Sequence, residues 1–189
     1  MWPFTQLTRR GRAGRLLDDT PPLAHDTPEG TMCRVRGVVG RLDETLVAPL
    51  TGAACVAYDA RVTVSMTRPQ QQRGPRSLEP PILVRLVPFV VGDAIVDAEH
   101  ADVLAPRRRA ASRERVHSFL ARFGLASLVT PLWARERIIA EGDEVEVAGV
   151  LMREGARMPS TDERAFRAGE HTSARIVGSD EHPIVIRRV

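Results

Sequence analysis

From Ala54 to Met66 every even position is apolar: Ala54, Val56, Tyr58, Ala60, Val62, Val64 and Met66. The odd positions carry Asp59, Arg61, Thr63 and Ser65 once Cys55 and Ala57 have passed. A period of two sustained this long is that of an extended strand with one face in a core and the other in water. A helix would scatter the same residues around its circumference. The chain therefore has to build a sheet, and other short strands must complete it.

Those strands are legible in turn. In Thr31–Val39 the residues Cys33, Val35, Gly37 and Val39 share one face and Arg34 and Arg36 the other. Gly40–Ala53, with Pro49 and Gly52, reads as a hairpin connection, and the polar, proline-containing stretch Thr67–Pro80 as a loop. Pro81–Val91 is apolar apart from Arg85 and is interrupted by Pro88; Gly92-Asp93 then supplies a turn before Ala94–Asp97. Short extended pieces follow at Ala101–Leu104, Glu144–Leu151, Ser173–Val177 and Ile184–Arg188. The period changes once. Val116, Phe119, Leu120 and Phe123 fall at the i, i+3, i+4, i+7 spacing of one helix stripe, with Gly124 as its stop. Arg107, Arg108 and Arg109 would oppose the helix dipole, which places the start near Ser112. A second helical piece is expected over Leu132–Ala140, giving a helical insert at 107–140. Residues 1–28, with Pro21, Pro22 and Pro28, read as an irregular basic lead-in. The expected fold is mainly β (β-rich α+β): a small antiparallel, OB-like barrel over 29–189 whose closure removes exposed strand edges.

Composition limits the chemistry. All 27 basic residues are arginine, so a Walker-A phosphate loop and Schiff-base chemistry are both excluded for want of a lysine. The formal charge is +3, but Arg9, Arg10, Arg12 and Arg15 carry four charges with no acid among them. The rest of the chain is left at −1, so basicity does not by itself point to a nucleic-acid-binding body. Cys33 and Cys55 are too few for a disulfide scaffold or a four-cysteine zinc site and read as reduced thiols. The longest uncharged runs, Leu46–Tyr58 and Phe123–Ala134, fall short of the ~20 residues that cross a bilayer. The beginning of the chain lacks the apolar stretch of a signal peptide, and a cytoplasmic protein is expected. Trp2, Phe4 and Leu7 beside four arginines have the make-up of a segment that skims an anionic membrane through residues 1–15; a frayed basic tail is the plainer reading.

No candidate site emerges from the reactive residues. Cys55 and Tyr58 are expected on opposite faces of the best strand, with Cys55 as a buried thiol that nothing nearby in sequence activates. His25, His100, His117, His171 and His182 have no metal-ligand spacing, and His117 is expected at a surface or rim. Asp93, Asp97, Glu99 and Asp102 gather around His100 but straddle a turn, which reads as a solvated hairpin rather than a cation site. Arg107–Arg109, Arg113 and Arg115 form the densest internal basic group; a hydrated helix start is preferred to a contact for an acidic partner. Single-stranded nucleic-acid binding needs aromatic platforms inside a basic groove. Outside the chain start and the helix stripe the aromatics are Tyr58, Phe89, Trp133 and Phe166, so this function stands second. Catalytic residues, metals and cofactors are not expected.

Four stretches carry a family likeness: Val35-Arg-Gly-Val-Val39, Ala48-Pro-Leu-Thr-Gly-Ala-Ala-Cys-Val-Ala-Tyr58, Pro88-Phe-Val-Val-Gly-Asp-Ala-Ile-Val-Asp-Ala-Glu-His-Ala101 and Glu136-Arg-Ile-Ile-Ala-Glu-Gly-Asp-Glu-Val-Glu-Val-Ala-Gly149. In order and spacing they resemble the GIDE domain, also called the BAM (beside a membrane) domain, found in the MULAN type of mitochondrial ubiquitin ligase. The sequence departs from the pattern at Asp97-Ala98 and in its long insert. Two cysteines cannot supply the eight ligands of a RING finger, so ubiquitin transfer is not carried over. The resemblance implies a non-enzymatic protein-interaction module, with a membrane surface as a further possible setting.

Overall fold

The long alternating run divides at Val56. In the computed structural model, which describes residues 9–66, 81–127, 129–153, 174–178 and 183–189, the elements in chain order are α1 (Arg9–Asp19), β1 (Met32–Arg41), β2 (Leu46–Val47), β3 (Ala54–Cys55), β4 (Ala57–Met66), β5 (Ile82–Leu86), β6 (Phe89–Val91), β7 (Ala94–Asp97), β8 (Ala101–Leu104), β9 (Arg108–Arg109), α2 (Arg113–Ala121), β10 (Val129–Ile139), β11 (Glu144–Arg153), β12 (Ala174–Val177) and β13 (Ile184–Arg188). The loop expected at 67–80 lies outside the described residues.

The fold is mainly β and contains a closed five-stranded barrel, β1-β6-β7-β12-β11 and back to β1. Pairing is antiparallel except where β12 meets β7 and β13 meets β8, both parallel. The interior takes alternate residues from each strand: Cys33, Val35 and Val39, Phe89 and Val91, Val96, Val145, Val147 and Leu151, and Ile176. Phe89 is fully buried there. Each such side chain contributes about 1.5–3 kcal/mol over an exposed position. One edge of β11 runs along β1; its other edge is shared, with β13 pairing residues 145–148 and β12 residues 150–153. Gly149 lies at this handover. A Cβ there would stand 2.7 Å from Ile176 Cγ2 and 2.9 Å from the Val177 carbonyl oxygen, so the crossing needs glycine.

A second sheet, β5-β4-β10-β9, stands beside the barrel. One of its faces carries Tyr58, Ala60, Val62 and Ile138, and α2 covers it with Val116, Phe119 and Leu120. The helix begins at the expected place: the Ser112 hydroxyl caps it by accepting from the Arg115 N–H at 3.2 Å, and Gly124 (φ 68°) ends the following turn. Val56 bends the chain between the two cores, so Val56 and Ala57 enter the barrel while Cys55 and Tyr58 both enter the second cluster. Cys55 and Tyr58 therefore share a core rather than lying on opposite sides.

Two further sequence expectations are corrected. Residues 9–19 are helical, not irregular. Ala13 and Leu17 of α1 pack on Ala148 and Val185 of the barrel wall, and Pro21, Pro22 and Pro28 fall after the helix ends. Leu132–Ala140 is strand, not helix, so helix within 107–140 is confined to α2. β10 pairs with β4 from Val129 to Ile139, and its register slips by one residue between Pro131 and Trp133. That extra residue disguises the period of two.

Candidate functional site

The residues that sequence reasoning weighed for chemistry are mostly settled into structure. Cys33 lies in the barrel core and Cys55 in the second cluster, both free and buried. Burial pushes the Cys55 thiol up to about 11, with the Glu136 carboxylate adding to the effect, and Cys33 is raised for the same first reason. A thiol held protonated in this way is a poor nucleophile. His25, His100 and His117 are exposed; His171 and His182 lie outside the described residues, as do Trp2, Phe4, Leu7 and Phe166. Asp97 pairs with Arg175 at 3.2 Å, and among the described residues no group of three or more Cys, His, Asp or Glu could hold a metal ion. No described helix is long and apolar enough to cross a membrane.

The arginine group at 107–115 separates. Arg113 and Arg115 go with α2, where the Arg115 guanidinium lies over Gly52; Arg107 and Arg109 turn toward the second sheet. There the face opposite α2 is open. In the β9–β10–β4 register Arg109 stands opposite Arg135, and Arg135 opposite Arg61. One step along, Arg137 stands opposite Asp59, and in the other direction Trp133 stands opposite Thr63. Residues directly opposite on antiparallel strands share a face, so three arginines form one row across three strands, with a tryptophan beside it.

Arg61 and Arg135 of the row line a cleft of about 380 Å³, together with Asp59, Thr63, Arg107, Trp133, Glu136 and Arg137. Its floor is rigid. The Asp59 carboxylate, 3% exposed, accepts from Arg61 Nε at 2.6 Å and from Arg137 Nη1 at 3.4 Å, and Arg137 Nε donates to the Ala105 carbonyl at 2.9 Å. Burial pulls the Arg137 guanidinium down from its ordinary value. Glu136 points the other way. Its carboxylate accepts from the backbone N–H groups of Leu50 and Thr51, at 3.0 and 2.9 Å, and from the Thr51 hydroxyl. The rim is the opposite of the floor. Trp133 is 60% exposed, with the Arg135 guanidinium 5.5 Å from its ring centre. Among the described residues no carboxylate lies within ion-pair distance of Arg107, Arg109 or Arg135.

Such a surface can hold an anion on forked guanidinium donors and present a ring face next to it. Sequence reasoning had Asp59, Arg61, Thr63 and Ser65 as the wet face of β4, and it had noticed Arg107–Arg109. It missed Arg135, Arg137 and the role of Trp133, because Trp-x-Arg-x-Arg is the alternation of an open strand and was read as helix. Charge was also averaged over a whole body at −1, whereas four arginines and two carboxylates meet at this one cleft. The chain matches no family model, no curated protein and no solved structure.

Proposed function

We propose that the chain is a non-enzymatic interaction module, acting in the cytoplasm, whose contact surface is the arginine and tryptophan cleft and whose partner is anionic. The observation that carries the reading is the row Arg109, Arg135, Arg61: like charges set directly opposite one another destabilise a sheet, and among the described residues only Arg61 of the three has a carboxylate within reach. A partner that brings negative charge relieves that repulsion. The protected thiols and the commitment of Glu136 to the 50–51 loop weigh against catalysis at the same place. The GIDE-like stretches support an interaction role and no chemistry.

The test is retention on an immobilised polyanion such as heparin. Arg135→Glu is expected to elute at clearly lower salt than the unaltered chain. Arg41→Glu makes the same change in net charge at the exposed end of β1 and is expected to elute later than Arg135→Glu. Equal elution of the two variants would overturn the reading, because retention would then follow total charge.

A further inference from the structure

We infer that the ligand of this cleft is a single-stranded nucleic acid, with a base laid on Trp133 and its phosphates on the arginine row. The inference rests on the cleft being the contact surface and names what fills it. Three features separate a nucleic acid from any other anion. The first is the ring. Trp133 keeps most of its surface in water although the apolar core under α2 is one strand face away, and an exposed tryptophan is a platform that every base can use.

The second is spacing. Trp133 and Arg135 occupy alternate positions of one strand, about 7 Å apart, on the scale of the step between successive phosphates in an extended single strand. Arg61 and Arg109 flank Arg135 on either side, so a phosphate at that step meets guanidinium from three strands. The third is size and polarity. A cleft of about 380 Å³ takes a nucleotide and not a duplex, and the exposed Thr63 and Ser65 beside the ring offer hydroxyls to a base edge or a sugar. An acidic peptide would use the arginines and leave the ring without work.

The ring is held there by the register of β10. Trp133, Arg135 and Arg137 alternate within the unbroken pairing of residues 133–139, so Trp133 stands opposite Thr63 on the face of the arginine row, and the extra residue at Leu132 shifts only Val129–Pro131. A tryptophan left exposed next to a row of arginines is a costly arrangement for stability alone.

Trp2 and Trp133 are the two tryptophans, so a full-length Trp2→Phe chain reports Trp133 by its own emission. A labelled oligothymidylate, its RNA counterpart, inorganic polyphosphate and poly-glutamate are titrated against it. Both oligonucleotides are expected to bind, to quench Trp133, and to weaken with salt at a slope of about −0.7 per phosphate engaged. Trp133→Ala is expected to weaken oligonucleotide binding about tenfold or more and to leave polyphosphate affinity unchanged. Trp133→Phe, which keeps a smaller stacking face, is expected to fall between the two. Circular dichroism of each variant establishes that it is folded. Poly-glutamate binding that depends on Arg135, without oligonucleotide quenching of Trp133, would overturn the nucleic-acid inference and leave the anionic contact surface standing. Failure of all four anions to bind would overturn both. Oligonucleotide binding that survives Trp133→Ala undiminished would overturn the inference as well.

Discussion

The outside of the barrel and the open face of the second sheet are both built with arginines, and they treat them differently. On the barrel wall Arg34, Arg36, Arg187 and Arg188 each have a carboxylate partner. Arg36 reaches Glu144 at 2.9 Å, Arg187 reaches Asp18 at 2.7 Å and also Glu146, Arg34 lies 3.8 Å from Glu146, and Arg188 lies 3.0 Å from Asp143. Arg36 and Arg187 stand opposite Glu146 on the two sides of β11, so opposite charges alternate across the strands. On the second sheet the register sets arginine against arginine, and one aspartate serves Arg61 and Arg137. The same side chain is a cross-strand tie in one place; in the other, Arg109 and Arg135 have no carboxylate within ion-pair distance among the described residues. Matched surface pairs contribute little to stability and need no partner. Unmatched ones invite a counter-charge.

The comparison can be broken from either side. Phe89→Ala empties the middle of the barrel and is expected to cost about 3–5 kcal/mol, read by urea unfolding. The second sheet should show no equal to it on its open face. Glu136→Ala is expected to cost about 2–3 kcal/mol, since it strands the buried N–H of Leu50 and the half-buried N–H of Thr51 on the covered side of the same strand. Glu146→Ala removes the carboxylate that Arg34 and Arg187 share, and a loss of about 1–2 kcal/mol is expected from these partly buried pairs. Arg135→Ala should change stability by less than about 0.5 kcal/mol, with a gain as the expected sign because a like-charge contact is removed. A loss above 2 kcal/mol at Arg135 would make the row structural and end the distinction.

How much of this could be read from the chain depended on where the determining contact lay. β4 was plain because its alternation is local and unbroken. The β6–β7 hairpin was plain because Gly92, at φ 59°, supplies the left-handed turn between two apolar runs. β10 was hidden for two reasons. The bulge puts Pro131, Leu132 and Trp133 in sequence and erases the alternation at its start. Glu136 then places a charge in the inward series of Ala134 and Ile138, and the backbone groups that satisfy it come from a loop more than eighty residues earlier. α1 was hidden because Arg-Arg-Gly-Arg-Ala-Gly-Arg has poor intrinsic helix propensity; it is helical where Ala13 and Leu17 find the barrel. The arginine row depends on β9, two residues long, finding β10, and no local pattern encodes that pairing.

The split edge of β11 has a consequence for how the molecule holds together. Because one strand closes the ring through β12 and carries the β13–β8 ribbon through β13, it joins the barrel to the arm that leans on the second sheet. Loosening β11 near Gly149 would slacken both ends at once, so hydrogen exchange along β11 should report the global opening of the protein, while the short strand β9, held at one edge, exchanges by local fraying.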